Sequence, residues 1–315
     1  MEDKKLVYPI LIIITVAILL IIGVVIYDNR KYTNLSVKEG GTGNVLCEYV
    51  VIAAYYIANE KDVKCHDINE AGSIFSWLPT EIKYKKKWKH MSSELRQLIS
   101  NMTYIDIFTT KYSDWKVKTG ILCIMQNWYQ SIVRSRLPSP KTYHNVIIHY
   151  RCSDSPFNHC IHYEMVKYGW YLKAIKLASQ YVDITNITIL ACYQHNSNVC
   201  RANICDIYAN DLKDYISQRV DAEVEIDCGS VADDFLAMTH AECLISPSSS
   251  LSFMAGYGSD NIFIYGEDSK FLTNYSKHRG YREGMIALSS DPYIIPHGNI
   301  DYVKQHQEIL QKLRS

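Results

Sequence analysis

The sequence predicts an α/β protein built on parallel sheet, preceded by one membrane-spanning segment. Three observations carry that reading. Short apolar runs alternate with amphipathic stretches along most of the chain, the pattern of strand–helix–strand units. Residues 6–27 form a block of 22 without a single charge. Leu137-Pro138-Ser139-Pro140 interrupts both helix and sheet, because proline lacks a donor and restricts its neighbour. Roughly 275 residues follow the stem, enough for two α/β domains or one large one.

The uncharged block is long enough for a bilayer core of about 30 Å. It exceeds the apolar stretch of a cleavable signal, about 7–15 residues, and no small-x-small site follows it. An uncleaved anchor at 6–27 is expected, with a cytosolic tail at 1–5 and a stem at 28–37. Lys4 and Lys5 before the span balance Arg30 and Lys31 after it, so flanking charge leaves the orientation open. The triplets beginning at Asn34, Asn101, Asn186 and Asn274 fit N-glycosylation and favour a lumenal body, of Golgi or ER type. Ten cysteines are compatible with an oxidising compartment, but their spacing shows no small disulfide scaffold.

Charge narrows the partners. The chain carries 33 basic and 33 acidic side chains, so it lacks the basic footprint of a nucleic-acid binder. The one basic run, Lys83-Tyr84-Lys85-Lys86-Lys87-Trp88-Lys89, reads as a solvated loop, with an acidic acceptor or anionic surface as the second reading.

Taken in order, the first domain (38–140) is expected to open with a strand at 34–38 and the glycine turn 40–43. A helix at 44–59, a strand at 63–68 and helices at 92–100 and 115–137 then follow. The second domain (141–290) begins with a strand at 145–149, an aperiodic apolar run of the kind buried on both faces. A helix is expected at 163–181, where Met165, Tyr168, Leu172 and Ile175 share one face. Beyond it come a strand at 186–193, a helix at 206–220 and a strand at 222–227. A short helix at 230–240, a strand at 242–246, a helix at 249–257 and a last strand at 261–265 complete the domain. The tail (291–315) is expected to hold a helix at 301–313 that packs back across the first domain.

Three segments fall at strand-to-helix crossings, where backbone N–H groups and helix dipoles favour anions. Gly40-Gly41-Thr42-Gly43-Asn44 permits close approach of a ligand to the backbone, or simply connects two elements. It lacks the dinucleotide spacing and the Lys-Ser/Thr pair of a P-loop, which disfavours a nucleotide-triphosphate hydrolase. His149-Tyr150-Arg151-Cys152-Ser153-Asp154 follows the buried strand, and ligands bind at the carboxyl ends of such strands. Arg151 offers a planar fork suited to phosphate oxygens, with a surface pair to Asp154 as the alternative. Ser246-Pro247-Ser248-Ser249-Ser250 enters a helix, and its hydroxyls suit either capping or phosphate. Asp233 and Asp234 fall in a first helical turn, where acidic residues are expected for dipole reasons alone.

Together these segments resemble the α1,2-, α1,6- and protein O-fucosyltransferase superfamily. Gly40-x-x-Gly43-Asn44 with Tyr49 is similar to its glycine motif, and His149-x-Arg151-x-x-Asp154 to its His-x-Arg-Arg-x-Asp motif. Asp233 to Met238, leading to Leu244-Ile245 and Ser248 to Phe253, resembles its serine motif. The similarity spans residues 38–257. It implies a GT-B-like fold, two Rossmann-like domains facing a cleft. It implies an inverting, metal-independent glycosyltransferase that needs no cofactor, uses GDP-fucose as donor and modifies a glycan or glycoprotein. Carried over, Arg151 would hold the donor's diphosphate, with His149 and Asp154 lining the nucleotide pocket or orienting that arginine. Gly41, Gly43 and Asn44 would face the donor from the first domain, and Asp233, Ser248, Ser249 and Ser250 from the second. The family's second arginine is Cys152 here, which leaves donor identity open, and Pro247 makes the serine motif irregular.

The residues themselves fit sugar-nucleotide chemistry without that resemblance. Donors aimed at a departing diphosphate are usually the largest catalytic contribution. The sequence also has no Asp-x-Asp triplet, the short acidic metal site of many other sugar-nucleotide transferases. An inverting transfer needs a base for the acceptor hydroxyl. Glu48 is one candidate, with a place along the first helix as a solvent or cap residue as its plainer reading. Glu223, Glu225 and Asp227 alternate on one strand face and read as a charged sheet edge. Cys152, His159, Cys160 and His162 fit no zinc spacing, and a Cys152–Cys160 disulfide is a further option. Cys192, Cys200 and Cys205 likewise offer a loop-closing bond. Two rivals stay open: a related transferase using another nucleotide sugar, and a non-catalytic sugar- or nucleotide-binding membrane protein.

Overall fold

The computed structural model describes residues 32–33, 42–65, 76–100, 115–151, 165–191, 199–266, 283–289, 292–293 and 302–315. The expected anchor, the strand at 34–38, Gly41, Asp154 and the Cys152/His159/Cys160/His162 group lie outside the described residues. Among those described, no helix is long and apolar enough to cross a membrane.

The protein is α/β, and a six-stranded, wholly parallel sheet forms its centre. Its strands are β4 (Val146–His149), β6 (Asn186–Leu190), β7 (Glu223–Asp227), β8 (Cys243–Ser246), β9 (Ile262–Gly266) and β10 (Met285–Leu288). Their order is β10-β9-β8-β4-β6-β7. The chain starts in the middle at β4, winds outward to β7, then returns to the other side of β4 and winds outward again. That is the doubly wound, Rossmann-like order, with its reversal between β4 and β8. Two small sheets stand apart from it: β1 (Tyr32–Thr33) with β2 (Val63–Cys65) and β3 (Glu81–Ile82), and β5 (Met165–Val166) antiparallel to β11 (Pro292–Tyr293).

Alternation of side chains along the strands separates two apolar cores. Ile147, Leu190, Leu244, Phe263 and Tyr265 face one, while Ile148, Ile189, Ile245 and Ile264 face the other. Five helices supply the first core: α1 (Thr42–Ala58), α2 (Lys89–Ile99), α3 (Trp115–Arg136), α6 (Val231–His240) and α7 (Ser250–Gly258). The second is covered by α4 (Tyr168–Ala178), α5 (Val199–Ser217) and the C-terminal helix α8 (Tyr302–Arg314). Residues on both sides of the 137–140 break therefore contribute to one core. Helix α1 is apolar around nearly its whole circumference, as a helix buried on all sides must be. Each fully buried aliphatic chain, such as Leu46 or Ile52, contributes about 1.5–3 kcal/mol.

Several elements differ from expectation. The helix expected from 163 begins at Tyr168, because Met165 and Val166 pair with Tyr293 and Pro292 as a strand. Helix α5 begins at Val199 rather than 206, since Ile204, Cys205, Tyr208 and Leu212 make one continuous apolar face on the second core. Strand β10 was not expected. It extends the sheet through Phe263 N donating to Gly284 O, at a glycine with φ 95°. Helix α8 packs on α5 and α4 rather than back on the first domain. Ile309, Leu310 and Leu313 complete the second core, and Arg314 grips Asp211 with two donors.

The basic run enters α2 through a 3-10 turn, Lys86–Trp88, in which Lys85, Lys86, Lys87 and Lys89 are exposed and Lys85 lies over the Trp88 ring. Strand β7 is the sheet edge, and Glu223, Glu225 and Asp227 are exposed along it, as a protected edge requires.

Candidate functional site at the reversal of the sheet

In an open parallel sheet the ends of two strands part where the winding reverses, leaving a crevice outside their carboxyl ends. Here those strands end in His149 and Ser246. The first brings the Arg151 segment to the crevice, and the second brings the serine turn.

Tyr150 N donates to Leu190 O at 2.9 Å, so the ladder continues one residue past β4. The Tyr150 ring falls into the second core, which puts the flanking residues, His149 and Arg151, on the opposite face. His149 Nδ1 lies 3.4 Å from Ser246 Oγ, and Ser246 Oγ lies 2.7 Å from Ser252 Oγ. Ser252 in turn donates to Ser249 O at 3.2 Å. Both Ser246 and Ser252 are buried, so the chain of hydroxyls joins the strand end to the first turn of α7. Burial of the imidazole, and the Arg151 charge after it, push the His149 pKa down to about 3. His149 is therefore a neutral ring at physiological pH, and Arg151 is the cation beside it.

The serine turn is held from two sides by glycines. A Cβ at position 43 would lie 2.2 Å from both Leu251 N and Ser250 C, so only glycine lets the start of α1 rest on the start of α7. A Cβ at position 266 would lie 2.4 Å from Pro247 O, so the end of β9 presses equally closely on the same turn. Ser249 is the extended N-cap residue of α7 and is buried, yet its hydroxyl makes no capping bond. Ser248, Ser250 and Asn44 are half-buried around this junction.

Thus His149, Arg151, Gly43, Asn44, Ser248, Ser249 and Ser250 come together at one end of the sheet. Asp233 is engaged elsewhere. Ser230 caps α6 by accepting from Asp233 N, its hydroxyl donates to the Asp233 carboxylate at 2.6 Å, and Lys141 Nζ stands 3.7 Å from that carboxylate. The Ser230 bond first, with Lys141 adding to it, holds the Asp233 pKa below the usual carboxylate value. It serves as a cap residue on an exposed turn. Ser246 belongs to the serine segment that the sequence singles out, whereas Ser252 is not among the candidate site residues. The sequence carries a signal for both, since a serine at the buried end of a strand and another on the buried face of a helix both need partners.

The arrangement can bind an anion. The Arg151 guanidinium beside a neutral imidazole, and the serine hydroxyls at the first turn of α7, are groups of the kind that bind anions. Fold and site together define a doubly wound, Rossmann-like α/β protein in which the Arg151 segment and the serine turn lie at the topological switch point. Set beside known proteins, the chain matches no family model, no curated protein and no solved structure.

Proposed function

We propose that the protein is a membrane-anchored, inverting glycosyltransferase that moves fucose from GDP-fucose to a glycan or glycoprotein acceptor. The observation that carries the reading is the meeting of Arg151, His149 and the serine turn at the reversal of the sheet. A diphosphate leaving group needs fixed positive charge and oriented donors, and this crevice supplies both from the chain itself. In this reading Arg151 takes the charge that develops on the departing diphosphate. The serine turn and the first turn of α7 hold its remaining oxygens. Gly43 and Asn44 close the crevice from the N-terminal half, the role that a GT-B arrangement gives its first domain. The reaction as read uses no metal and no cofactor. A lumenal, Golgi- or ER-type body behind the 6–27 anchor fits the N-glycosylation triplets and the disulfide at Cys205.

Turnover of a panel of sugar nucleotides by the full chain, with a glycan acceptor array, tests the reading. Release of GDP from GDP-fucose with acceptor-dependent transfer is the expected result. Turnover confined to UDP-linked donors would replace the fucose assignment with another nucleotide sugar, the outcome Cys152 makes worth including. Tight GDP binding with no transfer from any donor would make the protein a nucleotide-binding module.

A further inference from the structure

The basic run from Lys83 to Lys89 sits where a helix is least favourable to it. Lys85, Lys86, Lys87 and Lys89 are exposed around the 3-10 turn that opens α2. The helix dipole is positive at that end, no acidic side chain stands in the first turn, and Trp88 makes no capping bond. Four cations there repel both the dipole and one another, so the fold itself does not reward them.

The carboxylates around the run are already engaged. Glu81 pairs with Lys83 at 3.7 Å, Glu94 with His90 at 3.9 Å and Glu60 with Arg96 at 2.9 Å, and Asp62 accepts from Tyr84 N at 2.8 Å. Lys85 lies over the Trp88 ring. Among the described residues, Lys61, Lys85, Lys86, Lys87 and Lys89 have no acidic partner, and all are exposed at this end of the molecule.

Topology says what that end faces. Tyr32 of β1 pairs with Lys64 of β2, and Lys64 with Glu81 of β3. Tyr32 and Glu81 are therefore two strand spacings apart, about 10 Å. The uncharged block at 6–27 ends five residues before Tyr32, a reach of at most about 18 Å. Strand β3 runs directly into Lys83, so the basic run is tethered close to the point at which the expected span leaves the bilayer. Tyr84 and Trp88, half-buried among the lysines, are residue types suited to headgroup level.

The run is also remote from the serine turn. Gly43, at the start of α1, rests on Ser250 and Leu251, whereas Ala58 O, at the other end, accepts from Ser92 and Arg96 of α2. Those two ends are about 23 Å apart along the helix axis. An acidic acceptor held by the lysines would lie far from Arg151.

We propose that Lys61, Lys85, Lys86, Lys87 and Lys89 form a docking surface for anionic phospholipid headgroups, in the leaflet where the protein's own span ends. The surface holds the body against the membrane on its α2 side and turns the serine turn away from the bilayer. The proposal rests on the membrane anchor of the reading above and not on its transfer chemistry.

The test places the full chain in nanodiscs of phosphatidylcholine alone, or with about 30% phosphatidylserine, and measures amine labelling of each lysine by mass spectrometry. In the anionic discs, labelling of Lys85, Lys86, Lys87 and Lys89 should fall at least about fivefold relative to neutral discs. Salt at 1 M, where the screening length is about 3 Å, should restore it. Lys173 and Lys176, on α4 over the second core, should label equally in both. Replacing Lys85, Lys86, Lys87 and Lys89 together by Gln should abolish the protection of Lys61 and Lys83, which flank the run. Equal labelling in the two kinds of disc would overturn the proposal while leaving the anchor in place. Protection by soluble heparin but not by anionic lipid would overturn it in favour of an acidic polysaccharide partner. Failure of the full chain to enter discs at all would remove the anchor, and the proposal with it.

Discussion

His149 and Ser246 face each other across the two strands at which the sheet changes direction, Nδ1 to Oγ at 3.4 Å. The contact ties the end of β4 to the end of β8, so the position of the Arg151 segment and that of the serine turn are set together. A ring buried at such a junction must stay uncharged, and this gives the molecule a pH signature.

The native protein keeps His149 neutral down to about pH 3, whereas the unfolded chain protonates it near the ordinary value of 6.5. Between those values the unfolded state binds more protons, so stability rises with pH and is lost as pH falls from about 6.5 toward 3. The expected loss attributable to His149 between pH 7 and pH 5 is about 1–2 kcal/mol. Urea denaturation at the two pH values, with wild type and His149→Gln, measures it. A substituted protein with an unchanged pH dependence would show that His149 titrates normally.

Arg151→Ala should weaken GDP binding by about 2 kcal/mol, the scale of losing a charge-assisted, two-pronged contact. Calorimetry on wild type and variant reads this directly. Equal affinities would take Arg151 out of the site, and with it the proposed handling of the diphosphate.

Gly43→Ala places a methyl group where Leu251 N and Ser250 C already stand, and backbone cannot swing aside as a side chain can. The α1–α7 junction should part, at a cost of about 1–3 kcal/mol, and nucleotide binding should weaken with it. Denaturation midpoints and GDP affinity are the two measurements. Unaltered stability would mean that the helices do not meet at this glycine.

Leu313→Ala near the chain end should cost about 2–5 kcal/mol, as for any fully enclosed leucine, because α8 completes the second core. Thermal melting of the variant checks it. A shift no larger than that of the exposed Glu308→Ala would mean that α8 is only loosely attached.

Most strands of the large sheet were legible because aperiodic apolar runs such as 145–149 and 186–190 have few other uses in a chain of this composition. Their spatial order was not legible, because strand order depends on which crossover covers which face rather than on any local pattern. Met165-Val166 continues the apolar spacing of Tyr168 and so has the pattern of a helix, and only the distant partner Pro292-Tyr293 makes it a strand. Strand β10 escaped because four half-buried residues carry too little pattern to stand out. At the site, Arg151 and the serine turn could be found from strand ends alone. The Gly43 contact could not, because a glycine in a connecting turn looks the same as a glycine wedged under another helix. Asp233 shows the converse, as an acid in a first helical turn whose local capping use suffices.

Because α1, α2 and α3 cover the same face of the sheet as α6 and α7, the two halves of the polypeptide are not separable parts. Expressing 141–315 alone would strip Leu244, Phe253 and Phe263 of their cover and present a bare hydrocarbon surface to water. Recombinant work on this protein should therefore retain the segment from residue 42 onward, and a fragment lacking it is expected in inclusion bodies.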